Sequence, residues 1–208
     1  PMESIAFWES RLESFRIPFK NVQERFGREA FMYFEDPDGL GLELVFTAND
    51  PRPAHGGDKI PEEYAIRGFH HAEIWAGSPE LTASLLTNEM DHLLLASEGN
   101  RFRYAANDLP GHYIDLLAPT GAQRGLSGAG TIHHIAFATP DDASHERIRR
   151  KIASRMLNPT AVIDRKYFRS VYFREPGGVL FEIATNGPGF DVDEPSESLG
   201  QKLMLPMR

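Results

Sequence analysis

The sequence predicts an α+β fold of repeated strand-helix-three-strand (βαβββ) modules, their mixed sheets curled around a cavity. Three observations predict it. Phe69-His70-His71-Ala72 matches Ile132-His133-His134-Ile135, and each opens a stretch where a strand pattern precedes a helical one. The run from Phe34 to Glu43 aligns without a gap on the run from Phe173 to Glu182. In that register Glu43 and Glu182 are equivalent, and Asp115 in Tyr113-Ile114-Asp115-Leu116 takes the same place mid-chain.

The elements follow in order. In residues 4–15, Ile5, Trp8, Leu12 and Phe15 form one helical stripe, with Ser4 as the expected N-cap. Strand patterns over 28–34 and 41–47 flank Glu35-Asp36-Pro37-Asp38-Gly39, which has turn chemistry. Residues 1–48 thus read as an incomplete module, because no strand precedes the helix. Pro1-Met2 is not a natural start, and a fragment of something longer is expected. Residues 49–63, with Pro51, Pro53, Gly56, Gly57 and Pro61, read as a linker. A full module is expected over 64–120: strand 68–76, helix 79–88 and short strands to Leu117. A Gly-rich joint spans 121–130. The next full module covers 131–190, with strand 132–139, helix 141–156 and strands near 161–163, 170–174 and 179–185. Residues 191–208 form a tail rich in Pro, Gly and acid.

The 208 residues are 41% hydrophobic and 25% charged, an ordinary globular balance. No apolar run approaches the roughly 20 residues that span a bilayer, and no signal peptide is visible. The absence of cysteine removes thiol nucleophiles and zinc-cysteine sites. A formal charge of −8 argues against nucleic acid as a partner. P-loop, dinucleotide and nucleophile-elbow motifs are missing. A soluble cytoplasmic protein is expected, with no membrane and no nucleic-acid partner, whose chemistry rests on His, Asp, Glu, Tyr and Arg. His55 lies in the linker, and His92, His112 and His145 read as exposed or locally hydrogen-bonded.

Strand alternation selects the site residues. Over 132–139, His133, Ile135 and Phe137 share a bulky face, and His134, Ala136 and Ala138 share a face with space beside it. On the last strand Val179, Phe181 and Ile183 pack, while Leu180, Glu182 and Ala184 face away. His134 and Glu182 therefore address one cavity. An imidazole nitrogen and a carboxylate oxygen with open positions suit Fe(II) or Mn(II); a plain His–Glu hydrogen bond is the other reading of the pair.

Thr131-Ile132-His133-His134-Ile135-Ala136-Phe137 and the run from Asp164 to Thr185, continuing through Gly187-Pro188-Gly189-Phe190, resemble the hydroquinone-type ring-cleaving dioxygenases. These belong to the vicinal-oxygen-chelate superfamily, with its glyoxalase-like fold. The resemblance implies a non-haem Fe(II), with Mn(II) as the alternative, held by His134 and Glu182. It further implies catalytic or supporting roles for His133, Arg165 and Tyr172. Proteins of that family have four modules and take their third ligand, a His, from the first, which this sequence reads as lacking. His71 holds the equivalent first-strand position of the middle module and is the substitute candidate ligand. Glu43 and Asp115 read as relics of duplicated sites.

The function these observations point to is Fe(II)-dependent extradiol-type cleavage of a hydroquinone or catechol, with a small aromatic diol and O2 as substrates. The alternatives are a glyoxalase-like metalloenzyme, or an inactive small-molecule-binding protein without a complete metal site. Uncovered module edges predict a homodimer.

Overall fold

A computed structural model describes residues 1–119, 121 and 125–204. Parts of the expected joint (residues 122–124) and tail (205–208) lie outside the described residues. The elements are α1 (Ile5–Ser14), β1 (Gln23–Arg25), β2 (Glu29–Glu35), β3 (Gly41–Thr47), β4 (His71–Trp75), α2 (Pro79–Asn88) and β5 (Leu93–Glu98). They continue with β6 (Arg101–Ala105), β7 (Tyr113–Leu117), β8 (Ile135–Thr139), α3 (Asp142–Ser154), β9 (Ile163–Asp164), β10 (Arg169–Arg174) and β11 (Leu180–Thr185). The order from β4 to β7 is βαβββ, and so is the order from β8 to β11. No described helix is long and apolar enough to cross a membrane.

The chain divides into two compact units. The first takes Pro1–Gly77 and His92–Ile132 and holds two sheets, β1-β2-β3 and β4-β7-β6-β5. The apolar stripe of α1 buries Trp8 and Leu12 against Ala30, Met32 and Phe46. Each such large side chain contributes about 1.5–3 kcal/mol of transfer free energy. The Trp8 indole N–H is not wasted: it donates to the Tyr64 carbonyl at 2.9 Å. Ser4 does not cap α1. Its hydroxyl donates to the Pro1 carbonyl at 2.7 Å, because a 3-10 turn at Met2–Ser4 already leads into the helix.

The second unit takes Ser78–Asp91 and the chain from His133 on. It holds the sheet β8-β11-β10-β9 with α2 and α3. Asp141 caps α3, accepting from the Ser144 N–H at 2.7 Å, and Arg155 closes it. The inward face of β11 buries Phe181 and Ile183 completely, and Phe137 and Phe173 pack on Phe181 with ring centres 4.9 and 5.8 Å away. His145 is not an exposed residue: it is buried, with its Nε2 3.0 Å from the Ile183 carbonyl.

The aligned sequence runs adopt the same hairpin. Gly39 N–H donates to the Asp36 carbonyl at 3.0 Å, and Gly178 N–H to the Glu175 carbonyl at 2.8 Å. The Leu40 and Val179 N–H groups donate to the Asp36 and Glu175 side chains at 2.8 and 2.9 Å. Both turns need a positive φ, 83° at Gly39 and 94° at Gly178, which glycine adopts without strain.

β8 begins at Ile135 rather than Ile132. It pairs in parallel with β11 from Ile135↔Phe181 onward, and the partner strand begins at Leu180. Residues 132 and 133 thus lie beyond the partner strand and His134 lies opposite its first residue, which leaves the two histidines at the strand's mouth.

Candidate functional site

In the second unit, β11 carries Glu182 on the face opposite Phe181 and Ile183, as alternation requires. Glu182 is only 3% exposed, so its carboxylate depends on polar partners. Two are present. Tyr172, directly across on β10, donates its hydroxyl to Oε1 at 2.8 Å. His134 Nε2 lies 2.8 Å from Oε2. Among the described residues no Lys or Arg pairs with Glu182. His133 and His134 stand edge-on, their rings 90° apart with Nδ1 atoms separated by 2.9 Å. The Arg165 guanidinium lies 5.6 Å from the centre of the Tyr172 ring. Ala136, Ala138 and Ala184 are the small residues of this face and leave the His134 edge accessible; its side chain is 34% exposed.

The first unit holds a denser cluster. Arg103, wholly buried, donates Nε and NH2 to Asp115 at 2.7 and 2.8 Å, and NH1 and NH2 to Glu29 at 2.6 and 3.0 Å. Arg25 joins Glu29 at 2.7 Å to Glu43 at 2.9 Å. Arg101 reaches Asp115 at 3.0 Å and also pairs with Glu73. His71 Nε2 lies 3.4 Å from Glu43 and 3.8 Å from Asp115. His70 Nε2 lies 3.4 Å from Glu29, and its Nδ1 is 3.1 Å from that of His71.

Charge balance sets the titration of this cluster. Burial raises the pKa of Glu43, but the His71 hydrogen bond and the Arg25 charge outweigh it and hold the carboxyl at about 2. Burial also works against ionised Glu29 and Asp115, and Arg103 above all keeps both below the usual carboxylate range. Burial pushes His70 down to about 3, with His71, Arg103 and Arg25 adding to the shift against the pull of Glu29.

The structure thus brings His134, Glu182, Tyr172, His133 and Arg165 together in one unit. It places His71 in the other unit, engaged with Glu43 and Asp115. Among the described residues no three His, Asp or Glu side chains form a metal site. Sequence reasoning missed Arg25, Glu29, Arg101 and Arg103. A signal was there for two of them: in Arg101-Phe102-Arg103-Tyr104 the arginines share one face of a strand, and a buried strand face carries cations only against acids. Arg25 gave none, since Gln23-Glu24-Arg25 is polar throughout.

No family model matches the chain. A crystal structure titled "putative dioxygenase" from Bacillus subtilis superposes with a TM-score of 0.89 at 44% identity, over 99% of this chain and 66% of that one. A glyoxalase/bleomycin resistance protein/dioxygenase domain from Frankia gives a TM-score of 0.51 at 15% identity over 61% and 97% of the two chains. The fold is therefore that of the glyoxalase/bleomycin resistance/dioxygenase class, the glyoxalase-like fold that the resemblance implied. Among curated proteins, "Putative ring-cleaving dioxygenase MhqE" of B. subtilis is 36% identical over 99% of this chain and 67% of its own length. The chlorohydroquinone/hydroquinone 1,2-dioxygenase of Sphingobium indicum is 31% identical over 99% and 65%. The chain belongs to this family of ring-cleaving dioxygenases and spans about two thirds of the length of the relatives it matches.

Proposed function

We propose that this protein is a ring-cleaving dioxygenase of a hydroquinone or catechol, using a non-haem Fe(II) held through His134 and Glu182. The observation that carries the reading is the buried Glu182 carboxylate facing His134 Nε2 at 2.8 Å with no Lys or Arg paired to it among the described residues. A nitrogen and an oxygen donor meeting beside accessible space fit Fe(II), or Mn(II), with positions left for other ligands. The names of the relatives support ring cleavage, and one of them names hydroquinone. When bound, the metal supplies Lewis acidity toward a substrate hydroxyl and a meeting point for substrate and O2.

The chain's own residues do the rest. With a metal bound, His134 would turn a lone pair on Nε2 to it, and the His134 Nδ1–H would then donate to His133 Nδ1, 2.9 Å away. Tyr172 occupies Oε1 of Glu182 and so orients Oε2 toward His134. Arg165 adds positive charge beside Tyr172, where a phenolate developing on the substrate is stabilised. His133, at the open strand mouth, is placed to take up the substrate hydroxyl proton. His71 has no part in this set, because its Nε2 already faces Glu43 and Asp115.

Iron content after anaerobic Fe(II) loading, with O2 uptake on hydroquinone, tests the proposal. Stoichiometric iron and O2 consumption, both lost in Glu182→Ala and His134→Ala, is the expected result. Full iron and turnover in either variant overturns it.

A further inference from the structure

The two units repeat one constellation in strand register. In the second, Glu182 pairs across β10 with Tyr172 and sits beside Ala136 of the parallel strand β8, two residues beyond His134. In the first, Asp115 pairs across β6 with Arg103 and sits beside Glu73 of the parallel strand β4, two residues beyond His71. Glu43 pairs across β2 with Tyr33 in the third copy of the register. The histidine pairs repeat as well: ring planes meet at 87° in His70–His71 and at 90° in His133–His134. What differs is the cation. The oxygens nearest His71 Nε2 are Glu43 Oε2 and Asp115 Oδ2, and guanidinium nitrogens hold those same atoms: Arg25 NH2 on the first at 2.9 Å, Arg103 NH2 and Arg101 NH1 on the second at 2.8 and 3.0 Å.

We propose that the first unit carries an internal counterpart of the His134–Glu182 site in which arginine replaces the metal. The native unit therefore takes up no divalent cation, and removing Arg25 frees Glu43 to form a site with His71, next to Asp115. Charge points the same way. Four carboxylates (Glu29, Glu43, Glu73 and Asp115) face three guanidiniums (Arg25, Arg101 and Arg103), so loss of Arg25 leaves an excess of two negative charges, that of a divalent cation. The ligand types, an imidazole and a carboxylate with open positions, suit Mn(II).

Mn(II) titration followed by loss of the free-ion paramagnetic resonance signal tests this, in a Glu182→Ala background that removes the second unit's carboxylate. That background makes the outcome independent of the proposed dioxygenase site. Glu182→Ala alone is expected to bind no Mn(II), and Glu182→Ala/Arg25→Ala to bind one per chain. Adding His71→Ala is expected to abolish that binding, and Arg25→Lys, which keeps the charge, to show none. A folded Arg25→Ala chain that leaves the signal unchanged, or binding that survives His71→Ala, overturns the proposal. If circular dichroism shows Arg25→Ala unfolded, Arg25→Gln, which removes the charge on Glu43 but keeps much of the side-chain bulk, decides by the same titration.

Discussion

Arg103→Met tests whether the first unit's interior depends on its ion cluster. The guanidinium is wholly buried and makes four short contacts, two to Glu29 and two to Asp115. Methionine matches much of its length but no donor. Glu29 would then keep Arg25, and Asp115 would keep Arg101, so neither acid is abandoned. Each still loses two charge-assisted bonds inside the protein, where water does not replace them. Removing one partner of a buried ion pair typically costs about 3–5 kcal/mol. The residual partners place this case near the lower end, about 3 kcal/mol. Equilibrium urea unfolding, read as a shift in midpoint at constant slope, measures the loss. Adding Glu29→Gln and Asp115→Asn removes the stranded charges and is expected to return part of the stability. A single-variant loss below about 1 kcal/mol would refute the reasoning, because it would mean the buried carboxylates reach solvent or reorganise cheaply.

Two further outcomes follow from the same physics. His70, which faces Glu29, His71, Arg103 and Arg25, has its folded pKa at about 3 against 6.5, and Glu43 has its own at about 2 against 4.5. In both cases the unfolded chain binds the proton first, so the stability they contribute is complete above about pH 6.5 and falls with pH through 3 and 2. The loss from His70 by pH 4 is on the order of 3 kcal/mol; an unfolding midpoint that stays constant from pH 7 to 4 contradicts it. In the second unit, Thr82 on α2 donates to the buried Glu175 at 2.6 Å, so Thr82→Val strands one carboxylate oxygen and costs about 1–3 kcal/mol. A chemical melt in which Thr82→Val overlays the parent chain would show that oxygen to be solvated.

Repetition was the legible part of this chain, because an aligned run carries its hydrogen-bonding chemistry with it. Gly39 and Gly178 announced their turns, β3 and α2 took their expected limits, and alternation put Glu182 on the face that His134 addresses. Where a boundary depends on a distant partner, the local pattern overran it. The stretch 132–134 continues a β pattern, yet β11 begins only at Leu180 and offers 132 and 133 nothing to pair with. The strand-mouth position of His133 and His134 is set by that shortened ladder. The arginines were illegible for a related reason. A relic acid such as Asp115 looks the same in sequence whether a metal or a guanidinium neutralises it. Only the cross-strand register shows that the residue facing the acid is Tyr172 in one copy and Arg103 in the other. Tyr172 donates one hydrogen bond and leaves the Glu182 charge to be met from outside, whereas Arg103 cancels the Asp115 charge from within. Glu43 faces Tyr33 in the same register yet is held by Arg25, so what separates an acid placed to recruit a cation from one that holds the interior together is whether any guanidinium reaches it.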